Sequence, residues 1–300
     1  MKVVMKTKIL LNILAMSLLT SCQPAVYEIT TESESESESE SSDIMFKAFT
    51  ESELATKTAL SDNTNSYGYL SLYWKKGDAI SLSDGTNSAI FVTDNDGGTS
   101  GEFYNAKGSV KSNASLYTAF YPSSISASNM VLPSNQTYVK DNVAGFPMRA
   151  ISTNQNLGFK NLCGIIRLNL KFKGNGSLKI SKIILSANNQ GMSGAFVVGD
   201  DNAAVVKGTN GVLLSCETPV QLSQSVVTGF NIIVPKGDYN PLKVMITSSD
   251  GKELNLISKS AVHVERSGVT NISLSLDSSS FGSSLEVIPI TDSNVEFTDR

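Results

Sequence analysis

Along residues 44–300 apolar side chains recur at every second position, and polar ones fill the places between. Leu70, Leu72 and Trp74 share one face of a run, and Ile80 and Leu82 share one face of the next. The pattern returns at Tyr117, Ala119 and Tyr121, at Phe230, Ile232 and Val234, and at Leu242, Val244 and Ile246. Its longest instance sets Leu162, Gly164, Ile166, Leu168, Leu170 and Phe172 against Arg167, Asn169 and Lys171. Successive side chains of a β-strand point to opposite faces, so a period of two predicts half-buried strands. Turn formers separate the runs: Asp84-Gly85, Asp96-Gly97-Gly98, Gly174-Asn175-Gly176 and Asp250-Gly251. Their spacing is that of a β-sandwich, with Asp250-Gly251 the clearest hairpin. No helical stripe competes with this pattern, so the expected fold class is all-β.

The beginning of the chain reads differently. Lys2, Lys6 and Lys8 precede an apolar run from Ile9 to Leu19, a secretory signal over 1–21 that is too short for a lasting transmembrane helix. Leu19-Thr20-Ser21-Cys22 resembles the bacterial lipobox, in which the cysteine thiol is acylated and becomes the new N-terminus. Acyl chains on Cys22 would hold the protein to a membrane. Residues 22–43 contain the alternating run Glu32 to Glu40, which can bury nothing and repels itself, so it serves as a solvated tether. It also resembles the acidic address that some Gram-negative lipoproteins carry for the outer face of the cell.

The rest of the chain suffices for two ordinary domains. The boundary is placed near Ser152, giving β-sandwiches over 44–152 and 153–277. A C-terminal appendage, 278–300, follows a Ser-rich break and holds Leu285, Val287, Ile288, Ile290, Val295 and Phe297. It has strand potential, interrupted by Pro289, which brings no backbone donor.

Charge and chemistry narrow the function. A net charge of −4 and a pI near 5.2 leave no basic footprint, so nucleic acid is not expected as a partner. Beyond Cys22 the cysteines are Cys163 and Cys216, both in apolar runs; buried free thiols are expected, although an oxidising compartment permits a disulfide. His263 is the one histidine, which makes a nucleophile-histidine triad improbable, and its run Ala261 to Glu265 reads as a half-exposed strand. Zinc lacks a clustered ligand set. Asp94-Asn95-Asp96-Gly97-Gly98 and Gly199-Asp200-Asp201-Asn202 lack the terminal glutamate of a calcium loop and read as turns. Paired carboxylates for glycoside hydrolysis stay open, since any two acids can meet in a fold. No enzyme activity, cofactor or metal is therefore expected.

Several local patterns, in order, resemble the fimbrillin family, the type V pilins and pilus accessory subunits of Gram-negative anaerobes. They are Ala55-Thr56-Lys57-Thr58, Trp74 to Ile80, Ala119-Phe120-Tyr121-Pro122-Ser123, Phe146-Pro147-Met148-Arg149-Ala150, and Phe159 to Leu170. The physical roles expected are Trp74 as core filler, Gly77-Asp78 as tight turn and Pro122 as strand terminator. The resemblance implies two tandem transthyretin-like β-sandwiches in a lipoprotein precursor at the outer membrane, with other fimbrial subunits, membrane lipid and a host or bacterial surface ligand as partners. It also implies that an Arg- or Lys-specific protease removes the N-terminal segment with the first strand, so that a neighbour's strand fills the slot. Here the first strand is expected at Ile44 to Thr50, and the candidate cleavage residues are Lys57 and Lys47, lysines where the simplest family pattern has arginine. The appendage from Leu285 to Phe297 is the candidate donor strand, and a chain that completes its own sandwich with it is the alternative.

A surface glycan-binding lipoprotein would share the anchor, the tether and the tandem sandwiches. Sugar platforms need several exposed aromatic rings. Trp74 falls on the inward side of its run, which leaves Tyr67, Tyr69 and Tyr73 as a patch.

Overall fold

The computed structural model describes residues 44–51, 72–199, 202–282, 287–290 and 295–297. The expected anchor Cys22, Lys57, Tyr67, Tyr69, Leu70, Asp200, Asp201 and Leu285 lie outside them. The strands in chain order begin with β1 (Met45–Phe49), β2 (Ala79–Ser83), β3 (Ser88–Thr93), β4 (Ser100–Gly108), β5 (Tyr117–Tyr121), β6 (Val131–Leu132), β7 (Asn135–Thr137) and β8 (Met148–Ser152). They continue with β9 (Asn156–Gly158), β10 (Lys160–Asn161), β11 (Gly164–Phe172), β12 (Lys179–Ala187), β13 (Ser193–Gly199), β14 (Asn202–Thr209), β15 (Gly211–Gln221) and β16 (Thr228–Val234). The last are β17 (Gly237–Tyr239), β18 (Leu242–Ser248), β19 (Glu253–Ser258), β20 (Val262–Val264), β21 (Val269–Leu276), β22 (Val287–Ile290) and β23 (Val295–Phe297). A single 3-10 turn at Ser278–Ser280 is the one helical element among the described residues, and none of their helices is long and apolar enough to cross a membrane. The all-β class expected from the period of two is thus what the chain adopts.

An eight-stranded sheet, ordered β10-β8-β5-β2-β3-β4-β1-β9, closes over a first hydrophobic core that includes Phe46, Leu72, Trp74, Phe91, Phe103 and Phe159. A four-stranded sheet, β16-β11-β21-β23, and a six-stranded sheet, β22-β19-β18-β12-β15-β7, enclose a second core built on Leu168, Leu170, Ile183, Phe230, Tyr239 and Ile246. Alternation works as read along β11: Ile166, Leu168 and Leu170 are buried, with Arg167, Asn169 and Lys171 half-exposed between them. Ile165, one residue out of phase, is buried in the first core. One strand therefore feeds both cores.

The predicted punctuation is in place. Asp250-Gly251 joins β18 to β19, with Gly251 at a φ of 82° and Ser248 N–H donating to the Lys252 carbonyl at 2.9 Å. Gly77, at a φ of 88°, turns the chain so that Asp78 N–H donates to the Lys75 carbonyl at 2.9 Å. Pro122 directly follows the end of β5. Asn95 in the acidic turn accepts from Glu102 N–H at 2.8 Å, tying that turn to β4, and no group of three His, Cys, Asp or Glu among the described residues could hold a metal ion.

Two exchanges cross between the cores. The β13-β14 hairpin comes late in the chain, yet Phe196 and Ala203 are buried in the first core, and β13 pairs with β6 through Gly194↔Leu132 and Ala195↔Val131. In the other direction β7 runs parallel to β15 at the edge of the six-stranded sheet. Its Gln136 amide donates to the Ile233 carbonyl at 2.8 Å and accepts from the Ile233 N–H at 2.9 Å, so a side chain stands in for a strand partner of β16.

Candidate assembly site

The first strand, β1, sits between two strands to which no tight turn connects it. It runs antiparallel to β4 from Met45↔Tyr104 to Phe49↔Ser100, and parallel to β9 from Lys47↔Asn156 to Phe49↔Gly158. Lys47 N–H donates to the Gln155 carbonyl at 2.9 Å, and Phe159 N–H donates to the Phe49 carbonyl at 2.7 Å. Phe46, Ala48 and Thr50 alternate into the protein and are buried. The Phe46 ring meets Phe91 and Tyr117 edge-on, with centroids 5.0 and 4.9 Å away. Opposite Ala48 stands Gly101, where an added methyl would come within 3.3 Å of Trp74 and of Thr93. The slot is thus wide at Phe46 and narrow at Ala48.

Beyond β1 the strand is tied down at one end. Thr50 donates through both its N–H and its hydroxyl to the Thr99 carbonyl, at 3.0 and 3.2 Å. Glu51 Oε1 lies 2.6 Å from Arg266 Nη1, and its Oε2 accepts from the Ser267 hydroxyl at 2.9 Å. The same Arg266 nitrogen donates to the Asn161 carbonyl at 3.1 Å, and Asn161 Nδ2 donates to Ser267 Oγ at 3.0 Å. Ser267 holds a φ of 61°, a left-handed conformation costly for a side chain other than Gly, Asn or Asp. Its N–H donates to the Cys163 carbonyl, which fixes the 265–268 turn against the start of β11. Sequence reading missed this cluster, because Glu51 and Arg266 are joined by nothing that alternation or local motif records.

The other predicted residues fall as follows. Lys47 is exposed in the middle of β1, its Nζ 5.5 Å above the Phe49 ring. Of the candidate donor strand, Val287, Ile288 and Ile290 belong to β22, which runs parallel to β19 from Asn255↔Val287 to Ser258↔Ile290. Val295 and Phe297 belong to β23, antiparallel to β21 from Thr270↔Phe297 to Ile272↔Val295. Within one chain, then, the appendage occupies an edge of each sheet around the second core.

Cys163 and Cys216 are free and buried, one in each core. Burial raises both thiols, Cys216 to about 11, so neither is a poised nucleophile. Trp74 is fully buried, as its inward phase predicted, and Tyr73 is half-buried. Tyr104, at 44% exposure, is the one strongly exposed aromatic ring among the described residues; Tyr67 and Tyr69 of the tyrosine patch lie outside them. A cavity of about 600 Å³ over the outer face of β11 and β16 has a polar lining that includes Asp141, Arg167, Asn169 and Asn231. Its aromatic wall, Tyr138, packs onto Phe230 at 4.9 Å between ring centroids.

His263 stands in β20 with Nδ1 2.7 Å from Asp238 Oδ1 across the ladder to β17 and Nε2 2.9 Å from Glu265 Oε1. Only an imidazolium donates to both at once, so hydrogen bonds to Asp238 first and Glu265 second raise its pKa above 6.5. A raised folded-state pKa gives stability that is full below about pH 6.5 and fades as pH climbs through the higher folded value. Urea midpoints are expected to fall between pH 6 and 8, and His263→Gln to flatten that slope. An unchanged slope in the variant would assign the pH dependence elsewhere.

No family model matches the chain and no curated protein matches it. Among solved structures, a candidate cell adhesion protein from Bacteroides ovatus is similar with a TM-score of 0.52 and 15% identity, over 79% of this chain and 93% of that one. A candidate cell adhesion protein from Bacteroides uniformis (TM-score 0.41, 14% identity, 87% of this chain and 97% of that one) also matches, as does a C-terminally truncated form of the tip fimbrial protein Mfa3 from Porphyromonas gingivalis (TM-score 0.36, 8% identity, 77% and 94%). The likeness that carries weight is the first, and at its identity it is one of architecture: the chain shares the fold of the Bacteroides ovatus protein.

Proposed function

We propose that the protein is a structural or accessory subunit of a cell-surface fimbria, that it joins its neighbours by strand exchange, and that it acts in adhesion. The observation that carries this reading is the seat of β1. It is the first described strand, it is joined to β4 and β9 by pairing rather than by hairpins, and its inward side chains Phe46 and Ala48 fill an apolar slot. The row of backbone donors and acceptors that such a strand exposes on leaving is a template for another strand. The fold shared with the adhesion candidate and the sequence resemblance to fimbrillins support the same reading.

In this reading Cys22 anchors the precursor to the outer membrane and cleavage after Lys57 frees the slot. Lys57 is preferred to Lys47 on physical grounds. Lys47 is paired on both sides within β1, whereas a protease needs its substrate backbone free, and a cut there would leave half the strand in place. The role is structural rather than catalytic, and the partners are other subunits. Leu285 to Phe297 would serve as the donor strand for the next copy.

N-terminal sequencing of protein recovered from surface fibres tests this. Chains beginning at Thr58 are expected in polymer, and acylated Cys22 in unpolymerised precursor. Cys22→Ser is expected to abolish acyl labelling and to release the chain from the membrane fraction, because one thiol carries the anchor. Polymer whose every subunit still begins at acylated Cys22 would remove the mechanism.

A further inference from the structure

We infer that Arg266, Ser267 and Asn161 form a carboxylate clip at the end of the slot, and that after maturation the clip takes Asp292 of a second copy of this chain in place of Glu51. The inference rests on the strand-exchange reading and names the residue that would set the register of the incoming strand.

In the precursor both Glu51 oxygens are engaged, one by Arg266 at 2.6 Å and the other by the Ser267 hydroxyl at 2.9 Å. The clip does not depend on Glu51 for its shape. Arg266 also donates to the Asn161 carbonyl, Ser267 receives Asn161 Nδ2, and the Ser267 backbone is held by the Cys163 carbonyl. Cleavage at Lys57 removes Glu51 with β1 and leaves a partly buried guanidinium facing the empty end of the slot, its side chain 27% exposed. A partly buried guanidinium that has lost its carboxylate favours an incoming anion, so an arriving carboxylate is recognised there.

The sequence supplies a matching end. β1 ends at Phe49, which Thr50 and Glu51 follow, and β22 ends at Ile290, which Thr291 and Asp292 follow in the sequence: an apolar residue, a threonine, an acid. Laid along β1 in the same direction, Asp292 falls on Glu51, Thr291 on Thr50, Pro289 on Ala48 and Val287 on Phe46. The inward positions are then apolar or threonine, and Thr291 can repeat the bonds of Thr50 to the Thr99 carbonyl. Pro289 brings no N–H, so that strand makes one ladder bond fewer than β1. Phe297-Thr298-Asp299 also ends on the same pattern, but the same alignment would bury the charged Glu296 at the Ala48 position, which excludes it.

The test uses full-length chains expressed in their own cells, with polymer recovered from the surface and quantified on denaturing gels. Asp292→Asn is expected to lower the polymerised fraction about tenfold, because a charge-assisted pair becomes a neutral one. Asp292→Glu keeps the carboxylate and is expected to polymerise as the wild type does. Asp299→Asn and Glu296→Gln are expected to have no effect. All four leave Arg266, Ser267 and Asn161 themselves unchanged, and thermal unfolding of the uncleaved variants checks that each still folds. Wild-type polymerisation by Asp292→Asn would overturn the clip while leaving strand exchange intact. Wild-type chains that polymerise without losing β1 would overturn strand exchange, and the clip with it.

Discussion

Trp74→Ala is expected to lower the stability of the folded chain by about 3–5 kcal/mol, the range for emptying a large aromatic site in a closed core. Trp74 is fully buried and meets Phe103, Tyr121 and Phe159 edge-on, at centroid distances of 5.0, 5.5 and 5.5 Å. Those three rings come from β4, from β5 and from the link between β9 and β10, so the cavity would open where separate parts of the eight-stranded sheet converge. Collapse is hindered from the side of β4, since Gly101 already brings its backbone up against the indole. Trp74→Phe should cost much less, because the indole N–H is buried without a hydrogen-bond partner and its removal forfeits no bond. Urea denaturation of the two variants checks both statements. A loss below about 1 kcal/mol for the alanine variant would mean that the first core is not closed around this ring.

Much of this architecture is legible from alternation, because burial of one strand face leaves a direct mark on every second residue. Trp74, Ile80, Leu82, Ile166, Leu168, Leu170, Phe230, Ile232, Leu242, Val244 and Ile246 are all buried, in the phase in which the sequence sets them. The rule fails where a strand is covered on both faces. Ser81 is buried between Ile80 and Leu82 because the 122–126 segment passes over it and the Ile125 carbonyl accepts its hydroxyl, and Phe120 is buried beside Tyr121. Pairing between distant strands leaves no such mark. Nothing in the residues of β13 says that they will meet β6, nor in Gln136 that its amide will satisfy Ile233. The assembly site divides in the same way. The strand from Ile44 to Thr50 is visible as alternation, whereas the Glu51 to Arg266 pair at its end is a tertiary fact. Cys22, Lys57 and Leu285 lie outside the described residues.

Phe46→Ala carries the second large effect, again about 3–5 kcal/mol, but the loss should concentrate in one strand. Phe46 is the large inward anchor of β1; its inward companions are Ala48 and Thr50, which bury far less surface. The site it fills is walled by Phe91 and Tyr117, both buried in the first core independently of β1's own backbone pairing. Losing the anchor should therefore weaken the docking of β1 more than the packing of its receptor, and local opening of β1 should become the lowest-energy excursion of the fold. Amide exchange separates local from global loss. If 3 kcal/mol falls on β1, exchange at Lys47, whose N–H donates to the Gln155 carbonyl, should accelerate on the order of 100-fold. Exchange at Ile183 in β12, on the far core, should change little. The same variant should form polymer from uncleaved chains, because a strand that opens spontaneously exposes its slot without a protease. Equal acceleration at Lys47 and Ile183 would show instead that β1 unfolds only with the whole molecule, and a strand of that kind could not be exchanged while its receptor stays folded.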